Sequence, residues 1–351
     1  MILYSVPMKI VRGLLFIALV CGVHADDQWI TFGPGEGAGK GKHVVFVTGE
    51  EEYRSEESAP MLARVLSTHH GFKATVLFSM GKFRGKDKDK DKNKKEEGLI
   101  DPNAPDNIPG LQQLDGADMM VMMLRFRELP DDGMKHIVDF VNAGKPILAV
   151  RTSTHAFAYT MRRDSRYASW DWQSNVWPGG FGQQIVGETW VRHHGEHGKE
   201  STRGVINPEH AAHSVLRGVR DIWGPTDVYG VDKLPSGAQI LLRGQVIAGM
   251  KSTDPPVPGA KNDPMQPLVW IKDYQLEGGK PGKVIGSTIG AAVDLECADL
   301  RRLFVNAIYW GCGLEVSAES KVDPVGEYKP SNFGFNGFKK GVKPADLQKQ
   351  P

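Results

Sequence analysis

The chain has 351 residues, 40% of them hydrophobic and 24% charged, with a formal net charge of +1. That is ordinary globular composition, enough for a sizeable core in one large α/β domain or two smaller ones. The near-neutral balance excludes a basic footprint for nucleic acid or anionic lipid, so neither is expected as a partner.

Lys9 and Arg12 precede the apolar run Leu14 to Val20, and Val23-His24-Ala25 puts small residues where a signal peptidase needs them. Residues 1–25 therefore read as a signal peptide cleaved after Ala25, and the mature protein as exported, periplasmic or extracellular. Cys21 would suit a lipid anchor, but Val20 before it is bulkier than such a site wants. Loss of Lys9 and Arg12 turns the formal charge to about −1. No later segment approaches the roughly 20 apolar residues of a membrane helix, so no membrane span is expected.

After a linker at 26–42, HVVFVT at 43–48 reads as a strand buried on both faces. A charged loop, GEEEYRSEES, follows it. Pro60, Met61, Leu62, Val65 and Leu66 then mark an amphipathic helix that Gly71 closes. Phe72 to Phe78 is a second strand, and GKDKDKDKNKKEE at 85–97 is a charged surface loop without apolar periodicity. Met119 to Leu124 is the third strand. Pro130 opens a helix with Met134, Ile137, Val138 and Val141 on one face, Gly144 stops it, and Pro146 to Val150 is the fourth strand. Alternating strands and helices predict an α/β fold with a doubly wound, mostly parallel sheet. Residues 158–237, rich in Trp, Gly and His, read as a long insertion over the carboxyl edge of that sheet. Ala238 to Val246, Leu268 to Lys272 and Lys283 to Thr288 are three more strands, and Leu300, Leu303, Phe304, Ala307 and Ile308 share one stripe of a final helix. Cys297 and Cys312 on that helix lie about 22 Å apart, too far for a disulfide. From about residue 316 the Lys-, Gly- and Pro-rich tail either drapes over the domain or is disordered.

In an open α/β sheet ligands sit beyond the carboxyl ends of the strands. The corner after strand four, Arg151-Thr152-Ser153-Thr154-His155, therefore leads the candidates. Glu51 and Tyr53 after strand one, Arg125 and Arg127 after strand three, and Glu188, His193, His194, Asp227 and Tyr229 of the insertion join it. Carboxylates accept paired sugar hydroxyls, guanidinium forks hold oxyanions or carbonyl oxygens, and aromatic rings pack on pyranose faces, so the mixture suits a small carbohydrate ligand. For each residue a solvated loop or structural salt bridge is the competing reading, and Arg151 is hardest to dismiss because a charge at a buried strand end needs a partner.

VRHHGEHG at 191–198 invites a metal reading. Gly195 and Gly198 argue against one helix face presenting both His193 and His197, and no recognised zinc spacing is complete. No metal ligand is assigned and no cofactor expected, with a divalent metal as the alternative. The imidazoles read instead as hydrogen-bond or proton-transfer groups that Glu188 or Glu196 can orient. A serine hydrolase would need Ser153 activated by His155, which lies only two residues away around a turn. GEEEYRSEE would repel a pyrophosphate, so a nucleotide cofactor is not expected.

HVVFVTGEEEYRSEES, the block from Ile100 to Phe157 that ends in KPILAVRTSTHAF, and DIWGPTDVYGV resemble the ThuA-like, or trehalose-utilisation, family in its exported bacterial type. The likeness runs over 43–315 as ordered blocks. It implies a flavodoxin-like, class I glutamine amidotransferase-like fold in a single domain, and a link to the catabolism of trehalose and 3-keto sugars. Where amidotransferases place a catalytic Cys and many ThuA-like proteins a His, this chain has Arg151, so amidotransferase activity is not expected. Two readings follow. In one, the protein is an enzyme acting on a sugar or oxidised sugar, with His193 or His194 transferring a proton, His155 as the further candidate, Arg151 polarising a carbonyl oxygen, and Glu51 and Tyr53 positioning hydroxyls. Arg125, Arg127, Thr152, Glu188, Asp227 and Tyr229 complete the substrate contacts. In the other, the crevice only binds carbohydrate, as an accessory module of a glycan-degrading system.

Overall fold

The computed structural model describes residues 28–81 and 98–349; the expected signal peptide, 1–25, and the charged stretch 85–97 lie outside them. Ten strands form one sheet: β1 Trp29–Phe32, β2 His43–Gly49, β3 Lys73–Leu77, β4 Met119–Leu124, β5 Ile147–Val150, β6 Ser201–Ile206, β7 Ile222–Gly224, β8 Gln239–Ile247, β9 Gln266–Tyr274 and β10 Gly282–Ser287, in the spatial order β1-β3-β2-β4-β5-β10-β9-β8-β6-β7. β3, β2, β4, β5 and β10 pair in parallel, whereas β1 and the four strands beyond β10 pair antiparallel. The sheet is therefore mixed rather than mostly parallel. A buried apolar run reports burial and not direction. The short link from β9 to β10 leaves no room for a crossover helix and forces an antiparallel pair.

β1, inside the expected linker, and β6 and β7, inside the expected insertion, were not foreseen as strands. WITF and IWG are short edge or near-edge segments that offer little periodicity.

Alternation along β2 sorts its side chains to the two faces, since Val44 and Phe46 join one core and Val45 and Val47 the other. The first core is closed by α1, Ser55–His70, and α3, Ala298–Gly311, through residues such as Leu62, Leu66, Leu300 and Phe304. The second is closed by α2, Asp131–Asn142, through Met134, Ile137 and Phe140, and by Trp170, Phe181 and Ile185 from residues 158–237. α1 ends at left-handed Gly71, whose N–H caps the carbonyls of Leu66 and Ser67. Cys297 and Cys312 stand as free thiols at the two ends of α3. The tail packs back across α1, with Arg64 donating to the Leu347 carbonyl at 2.7 Å and Ile100 N–H to Val342 at 2.9 Å. No helix among the described residues is long and apolar enough to cross a membrane.

Trp270 is fully buried in β9 and its indole N–H donates to the Val186 carbonyl at 2.8 Å, tying residues 158–237 to the sheet. The indole lies against Gly286 of β10, where any Cβ would run into it. Gly286→Ala is expected to lower the unfolding free energy by about 1–3 kcal/mol through overpacking, measured by urea denaturation.

Candidate active site

Three parallel strands end in corners where a non-glycine residue is held at positive φ: Arg54 at 64° beyond β2, Phe126 at 51° beyond β4 and Arg151 at 45° beyond β5. Such backbone costs on the order of 1 kcal/mol or more each and persists only where surrounding contacts enforce it. The glutamates beyond β2 divide the work. Glu50 accepts the N–H groups of Glu52 at 2.8 Å, Tyr53 at 2.5 Å and Ser55 at 2.8 Å, folding the loop on itself. Glu51 pairs with Arg125 at 3.3 Å and with Arg127. Glu52 reaches His197 Nε2 at 3.2 Å. Arg54 turns to the tail and donates to the Gly334 carbonyl, which brings Phe333 to 6.0 Å from the Tyr53 ring and 5.3 Å from that of His197.

Arg151 is 2% exposed. Its guanidinium lies between two phenol rings, 4.1 Å from the centroid of Tyr53 and 4.4 Å from that of Tyr229. Nη2 donates to Asp227 Oδ1 at 3.1 Å, and Nη1 donates to the carbonyls of Thr288 at 2.7 Å and Asp227 at 3.3 Å. The tyrosines stay neutral: burial pushes Tyr53 up to about 12 and Tyr229 well above its usual range, although the guanidinium pulls the other way. Tyr229 donates its hydroxyl to that of Tyr53 at 3.2 Å and closes the sandwich. Its Nη atoms thus donate to protein oxygens and its faces lie against the two phenol rings, while its buried Nε has no hydrogen-bond partner among the described residues. Beside it Glu50, Tyr53 and Thr152 line a hollow of about 10 Å³, on the order of one water.

On the far side of Asp227 stand two imidazoles. His193 Nδ1 donates to Oδ2 at 2.6 Å and His197 Nδ1 to Oδ1 at 3.0 Å. Burial would raise the carboxyl of Asp227, but the two imidazole bonds and the Arg151 charge outweigh it and hold the group well below the usual carboxylate range. The Asp227 bond, against burial, raises His197 above the usual imidazole value. The pair forms without a helix. His193 bridges Tyr229 as an antiparallel partner, His194 and Gly195 donate their N–H groups to Val228 O, and the chain turns so that His197 comes back to the same carboxylate. Gly195 permits this approach, since a Cβ there would meet Val228 N at 3.1 Å. From behind, Asp294 fixes the segment by accepting from Thr226 N at 3.1 Å, Thr226 Oγ1 at 2.7 Å and Gly290 N at 3.0 Å.

The His193 side chain is 38% exposed and its Nε2 has no hydrogen-bond partner among the described residues. Trp190 lies 5.7 Å from its ring, and Trp172 and Phe126 continue the aromatic wall. His155 is buried under that wall, 5.0 Å from Phe126 and 5.7 Å from Trp190, and burial holds it well below the usual value and uncharged. It packs the wall and is closed to solvent.

The structure thus brings together Tyr53, Arg151, His193, Asp227 and Tyr229, with Glu51 and Arg125 at the rim. Others turn away. His194 donates to the Lys261 carbonyl at 2.8 Å, and Glu188 accepts from Asp232 N and Lys233 N, each at 2.6 Å. Arg127, 0% exposed, is spent on Ser79, Pro102, Ala104, Arg125 and Glu51. Ser153 donates to the Met122 carbonyl at 2.8 Å and bridges strand ends rather than serving as a nucleophile. Asp294 and Phe333 carried no sequence signal of their own; Glu52 did, as one of three adjacent glutamates after the first expected strand, and His197, as the fourth residue after His193.

No protein-family model matches the chain, and no curated protein matches it significantly. Among solved structures it is similar to a protein described as ThuA-like from Parabacteroides merdae, with 15% identity over 84% of this chain and 98% of that one and a TM-score of 0.49. A second protein described as ThuA-like, from Bacteroides uniformis, gives 11% identity, 77% and 90% coverage and a TM-score of 0.41. The N-terminal domain of mmIFT52 gives 11%, 79%, 100% and 0.39.

Arg151→Met leaves Asp227 buried without its guanidinium partner and is expected to cost about 3–5 kcal/mol of stability by chemical denaturation. Asp227→Asn in the same chain is expected to recover part of that loss. Equal stability of Arg151→Met and the parent would show that the pair carries no weight.

Proposed function

We propose that the protein is an exported, ThuA-like enzyme acting on a sugar or 3-keto sugar derivative at the aromatic wall beyond the strand ends, with His193 as its proton-transfer group. The carrying observation is the 2.6 Å bond from His193 Nδ1 to Asp227, a carboxylate buried behind an imidazole that is itself 38% exposed. That bond fixes the tautomer with the Nε2 lone pair free, which is what proton abstraction from a hydroxyl or from carbon next to a ketone requires. Trp190 and Trp172 offer ring faces to a pyranose, and Glu51 and Arg125, each 19% exposed, offer rim groups to its hydroxyls. The ThuA-like blocks of the sequence and the flavodoxin-like layout they imply support the choice of ligand class. In the parallel part of the sheet the strands run second, first, third, fourth, fifth in order of appearance, as that layout has it.

A module that only holds carbohydrate needs the aromatic wall but has no use for a carboxylate buried behind an imidazole, which favours the enzyme. Purified protein is expected to turn over 3-keto disaccharides, and His193→Ala to lower kcat/KM by about 10²–10⁴-fold while keeping its thermal midpoint. Saturable binding with no product from the parent protein in any condition would leave the binding module standing instead.

A further inference from the structure

We infer that His193, His197 and Asp227 form a binding site for one divalent first-row transition metal ion, open toward the aromatic wall. Their ligand atoms all lie within 4.8 Å of one another, and within the described residues they are the group of histidine, cysteine and acidic side chains so placed. Two imidazoles and one carboxylate are the donor set of open metal sites, which leave positions free for water or substrate oxygen. Ligand atoms around a tetrahedral ion lie about 3.3 Å apart, so the His193–Asp227 and His197–Asp227 distances of 2.6 and 3.0 Å have to open by about 0.7 and 0.3 Å. The turn that carries both imidazoles contains Gly195 and Gly198, and nothing crowds the Cα of Gly198.

A second observation points the same way. The His197 ring places Nδ1 toward Asp227 and Nε2 at 3.2 Å from Glu52, whose side chain is 7% exposed. A ligating histidine commonly gives its other ring N–H to a carboxylate in this manner, which fixes the ring and strengthens its donor nitrogen. On ion binding both Nδ1 lone pairs turn to the ion and each neutral ring carries its one proton on Nε2: that of His197 meets Glu52, while His193 gives up its Nδ1–H bond to Asp227 and no longer offers the free Nε2 lone pair of the metal-free protein. The guanidinium of Arg151, 3.1 Å from Asp227 Oδ1, opposes a cation. It binds the oxygen shared with His197 and leaves Oδ2 on the His193 side, and the carboxylates of Glu52, Glu50 and Asp294 lie around it.

The site occupies the crevice of the proposed reaction and rests on that reading for its use, though not for its binding. Metal-stripped full-length protein is titrated calorimetrically with Zn²⁺, and with Co²⁺ while its visible spectrum is followed. One equivalent should bind. His197→Ala and Asp227→Asn should each weaken it by at least about 100-fold, and Glu52→Gln by about 10–100-fold. His210→Ala, in a surface turn, should leave affinity unchanged. His197→Ala, with its thermal midpoint checked, keeps the test valid if Asp227→Asn unfolds. Absence of stoichiometric binding by folded parent protein, or affinity unchanged in His197→Ala, overturns the inference. Sugar turnover undiminished in metal-stripped protein supports His193 as the base and takes the ion out of the reaction, not out of the site. Tight binding that needs His197, in a protein without sugar turnover, keeps the ion and removes the proposed reaction.

Discussion

Arg151 carries a charge it cannot shed in a buried position, so the surrounding fold supplies partners to both Nη atoms and aromatic rings against its faces. Those partners come from remote parts of the chain. Tyr53 arrives from the loop after β2, Asp227 and Tyr229 from the segment after β7, and the Thr288 carbonyl from the end of β10. A single guanidinium thereby ties the carboxyl ends of the parallel strands to residues 158–237. With the His193 and His197 bonds, which weigh more, it holds Asp227 anionic, since a carboxylate as buried as this one keeps its charge only beside such hydrogen bonding and charge.

The backbone at the strand ends follows from that demand. Arg54, Phe126 and Arg151 adopt left-handed conformations that side chains resist, and each is locked by a contact that repays the strain. Arg151 is held by its tyrosine sandwich. The N–H of Phe126 donates to the His155 carbonyl at 2.9 Å, and its ring stacks under Arg125. Arg54 is held by the tail, whose Gly334 N–H also donates to the Glu52 carbonyl at 2.8 Å. The last segment of the chain is thus part of the wall, with Phe333 against His197 and Phe335 over Arg125 at 5.0 Å.

Around this fixed base the imidazole turn is the less constrained part. His193 is half-exposed, Gly195 lies within the turn and Gly198 follows it, and Asp227 offers both oxygens to it. A rigid carboxylate facing a turn of two imidazoles lets the Nδ1 protons and a metal ion compete for the same carboxylate oxygens.

Much of the fold was legible in the sequence because burial on two faces leaves a continuous apolar run. MMVMML and HVVFVT could hardly be anything but inner strands, and the stripes of α1, α2 and α3 follow from the 3.6-residue period. The candidate residues Arg151, His193, Asp227 and Tyr229 were also found there, since charges and imidazoles beside buried strands need partners. What the sequence could not decide was which partner each received. The burial of Arg151 between two rings, the departure of His194 and Glu188, and the return of His197 to Asp227 all depend on contacts between residues 30 or more positions apart. Periodicity is a local property of the chain, whereas pairing is fixed only when the packed sheet brings distant segments within hydrogen-bond reach.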